Sequence, residues 1–187
     1  MRTFIAIELD EETKKKILEV QKRFSSFPLA LPKKEALHLT LLFLSEISEE
    51  KVSEISQATR IASQKIPSFD LEFSSLGGFP NLKLPKVVWI GLKGNLEVLF
   101  NLEKGLKEKL NLKGFAFEEE KFIPHITFGR VKGFVNKKIR RRLGEEIQRF
   151  GQVPSAKIFC NAISIFKSIP TSAGYTHTIL EEIPLKK

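Results

Sequence analysis

One cysteine, Cys160, stands alone in this chain of 187 residues. A lone thiol excludes an internal disulfide and any cysteine zinc site. It lies in the apolar run Ile158-Phe159-Cys160-Asn161-Ala162-Ile163, where a buried structural thiol is expected and a nucleophile is not. No apolar run approaches the roughly 18 residues of a membrane-spanning helix, so no membrane association is expected. The first ten residues turn acidic at Glu8 and Asp10, too soon for a secretory signal, and a cytoplasmic protein is expected. No glycine-rich turn leads from a motif strand into a helix, which removes dinucleotide and Walker-type sites and leaves no cofactor to expect. Tryptophan and tyrosine occur once each against 16 phenylalanines, so phenylalanine must fill most of the aromatic core.

What is present describes a folded globular chain. Hydrophobic residues make up 42% and charged residues 28%, enough for one compact domain with a sizeable core. Lysine and arginine total 31 against 22 acids, a net charge of +9 and a pI near 9.6. That surplus favours a polyanionic partner, nucleic acid first, although a solvated Lys/Glu-rich surface gives the same balance.

Hydrophobic periodicity predicts strands over residues 4–9, 37–44, 69–73, 87–92, 122–131, 157–167 and 176–185. Residues 76–81 read as a turn-rich stretch after the third strand, and 168–174 as a connection between the last two. Helices are predicted after Asp10, after Ser48, after Asn95 and after Asn136, each with an apolar stripe at helical spacing. Residues 111–120 read as a turn and a charged loop. The helix after Asn136 carries Lys137, Lys138, Arg140, Arg141, Arg142 and Arg149, a solvated face or a nucleic-acid contact. The order strand-helix-strand-helix-strand occurs twice. This near-duplication predicts an α+β fold of two similar lobes, approximately residues 1–80 and 81–187, packed as a single bilobal unit over 1–187.

Histidine is scarce too, and its placement is informative. Two of the three histidines occur in the same frame: His38-Leu39-Thr40-Leu41 and His125-Ile126-Thr127-Phe128. In a strand, residues two apart share a face, roughly 6–7 Å apart. Each phrase thus presents one imidazole and one hydroxyl with apolar anchors behind. Imidazole titrates near neutral pH, so a facing pair can divide the roles of general acid and general base. Threonine hydroxyls can donate hydrogen bonds to phosphoryl oxygens as charge develops there. No third histidine, cysteine or carboxylate stands at ligand spacing in either phrase, so no metal is expected. His177 lacks the frame and reads as a structural or peripheral contact.

At these residues the chain resembles the two-histidine (2H) phosphoesterases, and within them the RNA 2′,3′-cyclic phosphodiesterases, also called 2′-5′ RNA ligases. The match takes in Arg2-Thr3-Phe4-Ile5-Ala6-Ile7-Glu8, the first motif block with Phe43-Leu44, Gly77-Gly78-Phe79-Pro80-Asn81, Val88-Trp89-Ile90-Gly91, and Phe122 to Arg130 around the second motif. The resemblance implies two small, mainly antiparallel sheets with outer helices, facing a central groove. It implies metal-independent hydrolysis of an RNA 2′,3′-cyclic phosphate end, including ends derived from tRNA, to a 2′-phosphate, and ATP-independent 2′-5′ joining of RNA halves. By the family pattern His38 donates the proton and His125 accepts it, while Thr40, Thr127 and Arg130 bind phosphate. Phe79 and His177 are expected to contact RNA. No protein partner is implied. Many relatives carry a basic residue where Leu42 stands and glycine where Ser45 stands. Alternation puts position 42 on the catalytic face, which removes one cation there, and puts Arg130 on the opposite face from His125 unless a bulge intervenes. Two other readings stay open: an RNA-holding protein with little catalysis, and a phosphodiesterase of small cyclic nucleotides.

Overall fold

The computed structural model describes residues 1–117, 121–171 and 174–187, the side chain of Ser45 excepted. Strand β1 (Arg2–Glu8) is buried from Thr3 to Ile7, on both faces, as a strand inside a covered sheet requires. Asp10 accepts a hydrogen bond from the Thr13 N–H at 2.7 Å and so caps α1 (Glu11–Arg23), whose Ile17 and Val20 point inward. The chain continues through β2 (Leu29–Ala30), the first motif strand β3 (His38–Glu46), α2 (Val52–Ser63) and β4 (Phe69–Phe79). It then forms β5 (Val87–Gly94), α3 (Leu96–Leu112), the second motif strand β6 (His125–Val131) and α4 (Lys137–Arg149). Strands β7 (Lys157–Cys160), β8 (Ala162–Thr171) and β9 (Gly174–Pro184) complete it. Of the predicted loop 111–120, residues 111–112 belong instead to α3 and 118–120 lie outside the described residues; of the predicted connection 168–174, residues 168–171 instead extend β8, Gly174 opens β9, and 172–173 lie outside the described residues.

The strands form two antiparallel sheets in the orders β3-β1-β8-β9 and β2-β6-β5-β4-β7. The α+β class and the paired sheets agree with expectation, but the sheets do not follow the division near residue 80. Strand β4 of the first half pairs with β5, and β8 of the second half pairs with β1. Each half lends two strands to the other's sheet, β2 and β4 in one direction and β8 and β9 in the other. A cut between residues 80 and 81 would leave both motif pairs without an inner neighbour, so the lobes are interleaved rather than consecutive.

Two boundaries also move. Residues 76–79 are strand rather than turn, because they pair with residues 87–90 of β5; glycine at 77 makes room for the Trp89 ring, to which a Cβ there would come within 2.1 Å. The predicted strand 157–167 breaks at Asn161, where the chain leaves β4's side and enters the other sheet beside β1. Both pieces are apolar, so no compositional change marks the crossing. Cys160 is fully buried and burial pushes its thiol up to about 12, which leaves it inert. No helix among the described residues is long and apolar enough to cross a membrane.

Candidate active site

Antiparallel pairing sets Phe4, Ala6 and Glu8 of β1 opposite Phe43, Thr40 and His38 of β3. Opposed residues share a face, so His38, Thr40 and Phe43 stand together. Beneath them Phe4, Ala6 and Phe166 form a small buried cluster separate from the main core. In the second sheet, Val87, Trp89 and Gly91 of β5 oppose Arg130, Thr127 and His125 of β6. The two motif strands therefore present the same set of positions, and β3 lies against β6 in space.

Neither strand alternates simply. Ile5 faces Leu42 while Ala6 faces Thr40, and Val88 faces Gly129 while Trp89 faces Thr127. The inserted residues, Leu41 and Phe128, are buried. A one-residue bulge reverses the face of everything after it. Leu42, expected on the catalytic face, is instead 5% exposed and part of the main core. The groove-facing position is that of Phe43, which is 61% exposed. In β6 the same bulge brings Arg130 onto the face of His125, against the expectation from alternation. The apolar doublets Leu41-Leu42 and Phe128-Gly129 are the trace these bulges leave in the sequence.

The second bulge is held from behind by α1. The buried amide of Gln21 donates to the carbonyls of Phe128 at 3.1 Å and Pro32 at 2.9 Å, and the Phe128 ring packs 5.4 Å from that of Phe24. Gln21→Ala would strand a buried carbonyl, so a stability loss of about 1–3 kcal/mol is expected in chemical denaturation. An unchanged midpoint would mean that the bulge carbonyl finds another donor.

Both motif histidines are fixed by the carbonyl two residues upstream. His125 Nδ1 lies 2.6 Å from the Ile123 carbonyl, and His38 makes the same type of bond with Ala36. A carbonyl only accepts, so His125 Nδ1 carries the proton and Nε2 is left for chemistry. His38 stacks on Phe4 at 4.7 Å, while His125 meets Phe79 edge-on at 4.9 Å and Trp89 at 5.9 Å. His177, on β9 of the sheet that carries His38, stands edge-on to His38 at 5.2 Å and to Phe4 at 5.0 Å. The Nδ1 atom of His177 is buried and, among the described residues, has no hydrogen-bond partner.

These groups lie close enough to bear on one another's charge. Burial holds His38 down at about 3, and the charges of His177, Arg130 and His125 push in the same direction. His125 is lowered by burial and by Arg130. Arg130 is itself lowered by burial and supported by Tyr175, which also accepts a hydrogen bond from Arg2 at 3.0 Å. The structure thus brings His38, His125, Arg130 and His177 together, with Thr40 and Thr127 on the same faces and Phe79 against His125. Phe4, Phe43 and Trp89, given no site role by the sequence beyond lying in the matched stretches, and Tyr175 join them. Among the described residues no three His, Cys, Asp or Glu side chains are grouped to hold a metal ion.

Compared with known proteins, residues 7–89 match the family described as LigT-like phosphoesterases. An RNA 2′,3′-cyclic phosphodiesterase of Thermotoga maritima is 36% identical over 184 residues, covering 97% of this chain and 94% of that protein. One from Methanocaldococcus jannaschii is 34% identical over 182 residues, covering 97% and 99%. The crystal structure of E. coli LigT complexed with 3′-AMP superposes with a TM-score of 0.78 at 24% identity, covering 100% of this chain and 98% of that one.

Proposed function

Because the chain belongs to the LigT-like phosphoesterases, we propose that it hydrolyses the 2′,3′-cyclic phosphate at an RNA end to a 2′-phosphomonoester, with His38 and His125 as the acid–base pair. The observation that carries this is the matched pair of histidines, each anchored through an upstream carbonyl, facing one groove with Arg130. His125 Nε2 takes a proton from water as its oxygen attacks phosphorus. The bond from phosphorus to the 3′ oxygen breaks, and His38 delivers a proton to that oxygen. Thr40 and Thr127 donate to the non-bridging oxygens, and Arg130 offsets the charge gathering on them. No metal takes part in these steps.

Burial, and then the charges of His177, Arg130 and His125, disfavour a second proton on His38. An anionic diester seated between the two motif strands opposes that effect and favours the protonated imidazolium. Substrate and proton therefore enter the site together. A terminal 5′-hydroxyl in place of water would leave a 2′-5′ phosphodiester by the same proton movements, and would so join RNA halves, including tRNA halves. The test is the product from an oligonucleotide with a 2′,3′-cyclic end in excess chelator. A 2′-phosphate is expected; a 3′-phosphate or unreacted substrate would refute the proposal.

A further inference from the structure

The acidic residues are spread unevenly along the chain. None occurs between Glu72 and Glu97, and none between Glu120 and Glu145. The first stretch holds the end of β4, the loop 80–86 and β5; the second holds β6, the connection 132–136 and the N-terminal half of α4. The fold lays these stretches side by side. The Val131 N–H donates to the Lys86 carbonyl at 2.8 Å, and the Arg140 guanidinium donates to the carbonyls of Leu84 and Pro85. Gly144 lies so close to the same loop that a Cβ would come 1.7 Å from the Leu82 carbonyl oxygen.

Arg140 is thus consumed in holding the helix to the loop. Lys86, Lys132, Lys137, Lys138, Arg141 and Arg142 are exposed, and among the described residues none of them has an ion-pair partner. The other helices differ: Lys14 pairs with Glu11, Lys51 with Glu54 and Lys107 with Glu103. The first turn of α4 has no acid and is basic at the positive end of the helix dipole, an arrangement that repels itself until an anion covers it. In the same connection Phe134 is 110% exposed. An aromatic ring among unpaired cations is how single-stranded nucleic acid is held without sequence preference. The ridge also starts where the groove ends, since Arg130 precedes Lys132 and Phe79 precedes the loop.

We propose that this acid-free ridge carries the single-stranded RNA that leads into the cyclic-phosphate end, binding its backbone by charge and stacking a base on Phe134. The proposal rests on the phosphodiesterase reading of the groove. Its test compares a mononucleoside 2′,3′-cyclic phosphate with a single-stranded RNA of roughly ten nucleotides bearing the same end, a length within the usual site size. In the variant K137Q/K138Q/R141Q/R142Q, turnover of the mononucleotide is expected to be unchanged, while kcat/KM on the RNA falls towards the mononucleotide value. Removing four phosphate contacts flattens the salt slope by about 3, so about fifty-fold of the wild-type loss between 50 and 200 mM salt disappears. Phe134→Ala weakens RNA binding without changing that slope. Equal RNA kcat/KM and equal slopes in wild type and variant overturn the proposal. If neither substrate reacts with either protein, the phosphodiesterase reading fails. Fluorescence anisotropy of a labelled RNA without a cyclic end then decides the ridge: weaker binding by the variant supports it, and equal binding overturns it.

Discussion

Replacing His38 or His125 with alanine is expected to slow hydrolysis of a 2′,3′-cyclic RNA end by about 10²–10⁴-fold, the usual worth of a positioned acid or base. The doubly substituted protein should lose little more than either single variant, because acid and base act on one transition state and their effects do not add. The loss should fall on kcat and leave binding of a 2′-phosphorylated product comparatively intact, since Arg130 and the two threonines stay in place. His38 packs on Phe4, so alanine opens a small space there without exposing a charge, and the fold should survive. Single-turnover rates for both variants decide the matter. Unchanged rates in both would remove the two-histidine mechanism.

Acid should destabilise the protein through His38 over a defined window. An unfolded imidazole takes a proton near pH 6.5, whereas in the folded groove burial, and then the charges of His177, Arg130 and His125, hold it off until about 3. Below pH 6.5 the unfolded chain binds a proton that the folded one refuses, so stability is intact above that pH and falls as pH drops towards 3. At pH 4 this single group removes about 3 kcal/mol. His125 and His177 are lowered in the same direction, burial being the first cause for each, and they add to the loss. Chemical denaturation of wild type and His38→Gln at pH 7 and pH 4 isolates the His38 share, because every carboxylate titrates alike in both proteins. The variant should lose about 3 kcal/mol less than wild type between the two pH values; an equal loss would show that His38 is not held neutral. A bound phosphate ester should shrink the wild-type loss, since it favours the protonated imidazole.

The local pattern of the chain was sufficient for most of its elements and for the pairing of its two motif histidines. Asp10 and Asn136 cap helices with their side chains as predicted, and the strands carrying His38 and His125 fall where alternation places them. These features depend on neighbours a few residues away, which is why they are legible without a structure. The repeated His-x-Thr frame was legible for the same reason, and it named the two histidines that the fold brings to one groove. Tertiary structure decided what depends on distant partners. Alternation alone sent Leu42 towards the groove and Arg130 away from it, until packing of Leu41 and Phe128, the latter against α1 and the Gln21 amide, inserted a residue in each strand. The exchange of β2 and β4 for β8 and β9 between the sheets, and the crossing at Asn161, are choices of strand partner that no local pattern encodes. His177 reached the side of His38, and Arg140 was drawn out of a basic run to hold a loop, only because the folded backbone put a ring and two carbonyls within reach.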